Sequence, residues 1–160
     1  MQITDNRNFT RWFIIVASFL IVVLIVWNTY FLFQTFKAEE RRKMELWANA
    51  TEAISSLTED KGLETLLDIT NSNSSIPIIV TNKKGQITNA KNIDPTIIND
   101  KVVVDSVAAY KLLNEFKEVN DPLTIQSPDG LQYGYYGNSK LLNILKYYPF
   151  TLVLIIILFG

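Results

Sequence analysis

The side chains that most often run enzyme chemistry are missing from this sequence, which has no histidine and no cysteine. Thiolate nucleophiles, imidazole acid–base catalysis, Cys/His zinc sites and disulfides are therefore excluded within it. Its serines have no imidazole to activate them, and no Ser-x-x-Lys motif is present. Asp94, Asp100 and Asp105 are spaced as helix caps and surface charge, not as the alternating ligands of a calcium loop. Gly134 and Gly137 do not form a phosphate-cradling loop. What remains is Tyr133, Tyr135 and Tyr136, since aromatic walls with phenolic handles suit a small polar ligand. The plainer reading of the same residues is sheet packing.

Charge narrows the classes further. Residues 37–146 carry thirteen of the fifteen Lys and Arg and fifteen of the sixteen Asp and Glu, a net of −2. A nucleic-acid surface needs a basic face to neutralise phosphates, and this near-balance argues against one. The basic clusters Arg41-Arg42-Lys43 and Lys83-Lys84 read as solvated or headgroup-facing charge.

The element that organises the rest is WFIIVASFLIVVLIVWNTYFLF, Trp12 to Phe33, without a charge, proline or glycine. As a helix it covers about 33 Å, enough for a hydrocarbon core of roughly 30 Å. Between Phe13 and Val26, twelve of fourteen residues are Leu, Ile, Val or Phe, which favours insertion by roughly 4–7 kcal/mol at most. A cleaved signal peptide would be shorter and end in small residues. A soluble core helix would rarely be apolar on every face. The expected layout is a cytoplasmic tail over 1–11, a first transmembrane helix over 12–36, an extracytoplasmic domain over 37–146, and the start of a second transmembrane helix over 147–160.

No glycine precedes Gly62 and no proline precedes Pro77, so the first span is expected to continue outward as one helix to about residue 58. There, Trp47, Ala50, Ile54 and Leu57 follow a 3-4-3 spacing and predict a buried stripe. Stepping the heptad back meets Lys43 and Glu40, which speaks against a coiled coil reaching the bilayer and for packing on the chain's own domain. Trp47 and Ile54 are thus expected to carry movement along this helix.

Beyond it, LETLLDI after Gly62 predicts a short helix, and NSNSS a loop. Ile76–Thr81 and Gln86–Lys91 predict a hairpin turning at Asn82–Gly85, with Pro77 marking an edge or first-residue position. Asp94-Pro95 predicts a capped short helix or turn leading to Val102–Val104. Asp105 caps a helix whose stripe is Ala109, Leu112, Leu113 and Phe116. A second hairpin follows, with Leu123 and Ile125, then Leu131, Tyr133 and Tyr135, as its apolar face. The order predicts an α+β domain, a small antiparallel sheet with covering helices, between two transmembrane helices.

From Asn138 the pattern is helical again, Tyr147, Tyr148 and Phe150 sit as an aromatic belt, and TLVLIIILF begins a second span too short to cross a bilayer. The chain is therefore expected to be a fragment that stops inside an element. Asn138 or Ser139 caps the helix, and Pro149 predicts a joint at Tyr147 and Tyr148, with a new helix starting at the proline. Orientation is divided by charge. Lys37, Arg41, Arg42 and Lys43 outnumber Arg7 and Arg11 across the span, but the positive-inside rule weakens for loops above about 60 residues.

The segments IPIIVTNKKGQITNAKNID and YYGNSKLLNILKYYPF resemble the sensor region of bacterial membrane-bound histidine kinases, in which a periplasmic domain lies between two spans. The resemblance implies a PAS-like or similar sensor domain, in the inner membrane, facing the periplasm and usually dimeric. It also implies a small ligand or protein signal and, beyond Gly160, a phosphoacceptor histidine, a module using ATP and Mg, and a response regulator as partner. No cofactor is expected in residues 1–160 themselves. A chemoreceptor or cyclase input domain, or a structural cell-envelope protein, shares the same architecture.

Overall fold

The computed structural model describes residues 3–57 and 62–159. The order is α1 (Ile3–Ser56), α2 (Leu63–Ser72), β1 (Ile78–Asn82), β2 (Ile87–Lys91), β3 (Ile98–Asn99), β4 (Val102–Val103), α3 (Ser106–Val119), β5 (Leu123–Ser127), β6 (Gly130–Tyr136) and α4 (Lys140–Phe159). The chain divides into two compact units: residues 1–36 with 142–160, and residues 37–141.

The first unit holds the apolar helical segments. Two helices are long and apolar enough to cross a membrane, one within α1 and one within α4. The most apolar window of α1 has none of its residues buried, and that of α4 has 6%. A core helix would hide such a surface, so these windows lack the protein cover that water would demand. Helix α1 begins at Ile3, so the polar residues ahead of Trp12 belong to it. It ends at Ser56, close to the expected limit near residue 58.

α4 departs from expectation. In place of a joint at Tyr147 and Tyr148 there is one helix, Lys140–Phe159, with Pro149 inside. The proline removes a single donor from a long helix, a defect that helices in apolar surroundings tolerate when nearby groups compensate.

The second unit is α+β. Its four-stranded antiparallel sheet has the order β2-β1-β6-β5, and β3 pairs with β4 separately. On one face, Ile78 and Val80 of β1, Leu123 and Ile125 of β5, and Tyr136 of β6 pack with Ile76 against Met44, Trp47 and Ala48 of α1. On the other, Ile79 packs with Ile98 and with Ala109, Leu113 and Phe116 of α3, and Tyr135 joins their edge. A sheet covered on both faces buries both sides of its inner strands, which is why Ile78–Thr81 is buried without alternation.

Three expectations are decided within this unit. Of the two positions expected for Pro77, the strand's start is the one found and the edge is not: it lies one residue before β1, an interior strand, where its missing N–H costs the ladder nothing and its carbonyl accepts from Gly137 N at 3.0 Å. The Asp94–Val104 stretch holds β3 and β4, which sequence reading missed. Of the capped short helix or turn expected at Asp94, the turn is found, with Asp94 accepting from Thr96 N at 2.9 Å and Thr96 Oγ1 at 2.7 Å. Asp100, at a φ of 53°, then reverses the chain.

The third concerns β6. Leu131, Tyr133 and Tyr135 were the expected apolar face, yet Gly134 and Tyr136 are the buried residues. Alternation presumes one wet face, and β6 sits between β1 and β5 with helices on both sides.

Candidate functional site

The stripe that α1 lays on the sheet matches the expected one only in part: of the expected residues, Trp47 and Ala50 are buried. Met44, Trp47 and Ala48 are buried there, whereas Ile54 is partly exposed and Leu57 is 38% exposed. At about 100° per residue, the face centred on Met44 lies roughly a quarter turn from the face through Ala50, Ile54 and Leu57. Continued toward the N-terminus, the Met44 face reaches Arg41, Glu40 and Lys37. Packing on the chain's own domain therefore holds for Trp47, and the same face carries charge at its other end.

Those charged residues hold the end of the sheet. Lys37 Nζ donates to the carbonyl of Val119, the last residue of α3, at 3.3 Å, where a cation also suits the negative end of the helix dipole. Arg41 Nη1 donates to the Asp121 carbonyl at 2.7 Å, and lies 3.5 Å from the hydroxyl of Tyr136. Its Nε bonds Glu45 Oε1 at 2.7 Å, one turn along the same helix, which orients the guanidinium. Glu40 accepts from Ser139 N at 3.2 Å through Oε2, and from the Ser139 hydroxyl through Oε1.

The segment gripped by Glu40 is itself fixed. Asn120 Nδ2 donates to the Tyr136 carbonyl at 3.1 Å, and Gly137 N to the Pro77 carbonyl at 3.0 Å. Gly137 has no room for a side chain: a Cβ there would stand 2.5 Å from Phe116 Cε1. Ser139 is buried and directly precedes α4. Burial raises the Tyr136 phenol above its ordinary range, and the hydrogen bond with Arg41 partly offsets this.

The residues expected to bind ligand do not form one wall. Tyr136 faces the α1 core, while Tyr135 lies on the α3 side with Lys117 Nζ 5.3 Å from its ring centre. Tyr133 pairs with Thr81 and Thr124, on the Tyr135 side of the sheet. Strand alternation sends neighbouring side chains to opposite faces, so the three do not share one face. Of the expected transmission residues, Trp47 sits in the core beside Met44. Asn138 lies between Gly137 and Ser139, with its Oδ1 buried and, among the described residues, without a hydrogen-bond partner. Ile54 lies two turns beyond Trp47. Tyr148 and Pro149 belong to the other unit.

Sequence reading missed the contacts of Lys37, Glu40, Arg41 and Asn120, and took Ser139 only as a candidate cap of α4. The available signal was the 3-4 spacing of 37, 40, 41, 44, 47 and 48, hidden because half of that face is charged. Chemically, the cluster is a set of polar contacts between a helix and the end of a strand. Among the described residues no group of three or more Asp or Glu gathers to hold a metal ion. No protein-family model, no curated protein and no solved structure matches the chain.

Proposed function

We propose that residues 37–146 are an extracytoplasmic, periplasm-facing sensor domain of PAS-like or similar kind, flanked by helices that cross a bacterial inner membrane. In this reading the chain is the sensing and transmembrane signalling region of a sensor histidine kinase. The observation that carries it is the bonding of Glu40 to both polar groups of Ser139. Glu40 lies on the helix that contains the first apolar stretch, and Ser139 directly precedes the helix that contains the second. A shift at the end of β6, passed through Gly137 and Asn138, therefore acts on the roots of both helices.

Two long apolar helices support the membrane part of the reading, and the resemblance of residues 76–94 and 135–150 to kinase sensor regions supports the output. The phosphoacceptor histidine, the ATP- and Mg-dependent module and the response-regulator partner would lie beyond Gly160. A homodimer in the bilayer would be the working unit.

The test is a fusion of residues 1–160 to the cytoplasmic part of a histidine kinase, reconstituted in lipid. Glu40→Ala and Ser139→Ala are each expected to shift basal autophosphorylation severalfold, in the same direction. Unchanged autophosphorylation in both variants, with the fusion folded and active, would overturn the reading.

A further inference from the structure

Three turns of the second unit meet around a cavity of about 570 Å³, well away in sequence from the α1 contacts described above. The β1–β2 turn brings Lys83, Lys84 and Gln86, and the segment after β3 brings Lys101. The β5–β6 hairpin brings Asp129 and Gln132. Each turn is fixed within its own few residues. Asn82 Oδ1 accepts from Lys84 N at 2.9 Å and from Gln86 N at 3.0 Å, and Gly85 has a φ of 77°. Asp100 and Gly130, at φ of 53° and 114°, set the other two. Turns fixed in this way present their side chains at low ordering cost.

The charge around this cavity runs against the rest of the domain. Acids outnumber bases over residues 37–146, yet here three lysines face one aspartate. The ion pairs among the described residues are Arg41–Glu45 and Arg42–Glu39, so none of Lys83, Lys84 and Lys101 is paired. Three lysines lining one concave site without carboxylate partners create a positive field there, which a multiply charged anion neutralises best. Gln86 and Gln132 add amide groups suited to its oxygens.

We propose that this groove is a binding site for a small, soluble, multiply charged oxyanion, a phosphate or polycarboxylate compound, held by Lys83, Lys84 and Lys101. The site is independent of the kinase reading, because it rests only on the three turns. Asp129 opposes the bound charge and keeps the affinity moderate, so a ligand can leave again.

Calorimetric titration of the full chain in phosphatidylcholine nanodiscs, with inorganic pyrophosphate and with citrate at low salt, tests this. At least one probe is expected to bind saturably, one per chain. Each of Lys84→Ala and Lys101→Ala should weaken it about fivefold, and Asp129→Asn should strengthen it about fivefold, as one unit charge at close range in water implies. Higher salt should weaken it further. No saturable binding by either probe overturns the proposal, as does binding that ignores both Lys101→Ala and Asp129→Asn. A second set of discs containing phosphatidylglycerol separates the sources. Equal affinity in both supports a soluble ligand, whereas loss of pyrophosphate and citrate binding there means that lipid headgroups fill the groove, and the soluble-ligand proposal fails.

Discussion

Glu40 and Ser139 are 99 residues apart, and one carboxylate accepts from both the backbone N–H and the hydroxyl of the serine. A carboxylate bound twice by a buried residue is a stronger tie than a neutral hydrogen bond, since charge assistance roughly doubles each contact. It joins the charged end of the α1 face to the segment that leads from β6 into α4.

Removing that carboxylate takes both acceptors from a residue with little access to water. Glu40→Ala is expected to cost about 1–3 kcal/mol, and Glu40→Gln less, because the amide keeps one acceptor. Thermal melting of the full chain in neutral detergent, with Trp12 and Trp27 replaced by Phe so that Trp47 reports on the core, measures both. A melting temperature unchanged in Glu40→Ala would mean the tie adds nothing to stability.

Gly137 offers a separate check on the same segment. A Cβ there would stand 2.5 Å from Cε1 and 2.9 Å from Cδ1 of Phe116, a clash with a ring that is itself buried in the α3 core. Overpacking of this kind typically costs about 1–3 kcal/mol. Gly137→Ala should therefore lower the melting temperature, and should do so less in a Phe116→Leu background, where the ring is gone. Additive losses in the double variant would show that the ring is not what excludes the side chain.

What could be read from the sequence depended on whether one periodicity dominated. Asp105 as a cap, Gly85 in a turn and the Ala109–Leu113–Phe116 stripe were all legible, because each is set within a few residues of itself. The sheet's burial was not, because Leu131, Tyr133 and Tyr135 alternate with their neighbours as in a one-sided strand while β6 is covered on both sides. The α1 face was misread for a different reason. Trp47 and Ala50 of the regularly spaced stripe are buried, but Ile54 and Leu57 are not, and the helix turns Met44, Trp47 and Ala48 to the sheet and continues through Lys37, Glu40 and Arg41. Their partners include backbone groups of Val119, Asp121 and Ser139, which no residue pattern in α1 can announce.

Orientation has a direct test because the chain contains no cysteine. Lys84 is exposed in the β1–β2 turn, so a single Lys84→Cys variant reports only on that site. If residues 37–146 face outward, an impermeant maleimide should label it on intact spheroplasts as fully as after lysis. Labelling that appears only after lysis would reverse the proposed topology.

The last prediction follows Tyr136 into alkaline solution. Its side chain is buried against Met44 and Trp47, and burial raises its pKa, with the Arg41 hydrogen bond acting the other way. Below about pH 10 the phenol is protonated in both folded and unfolded chains, so its contribution is fully present. As the pH passes the unfolded value, the unfolded chain loses this proton first while the folded chain keeps it. The unfolded state then binds fewer protons, and stability falls with rising pH until the folded phenol ionises as well. Tyr136→Phe has no proton to lose there, although it gives up the contact with Arg41 at neutral pH. The wild-type chain should therefore lose melting temperature more steeply than Tyr136→Phe above about pH 10, and the gap between them should narrow. Parallel pH profiles for the two would show that the buried phenol does not couple to folding.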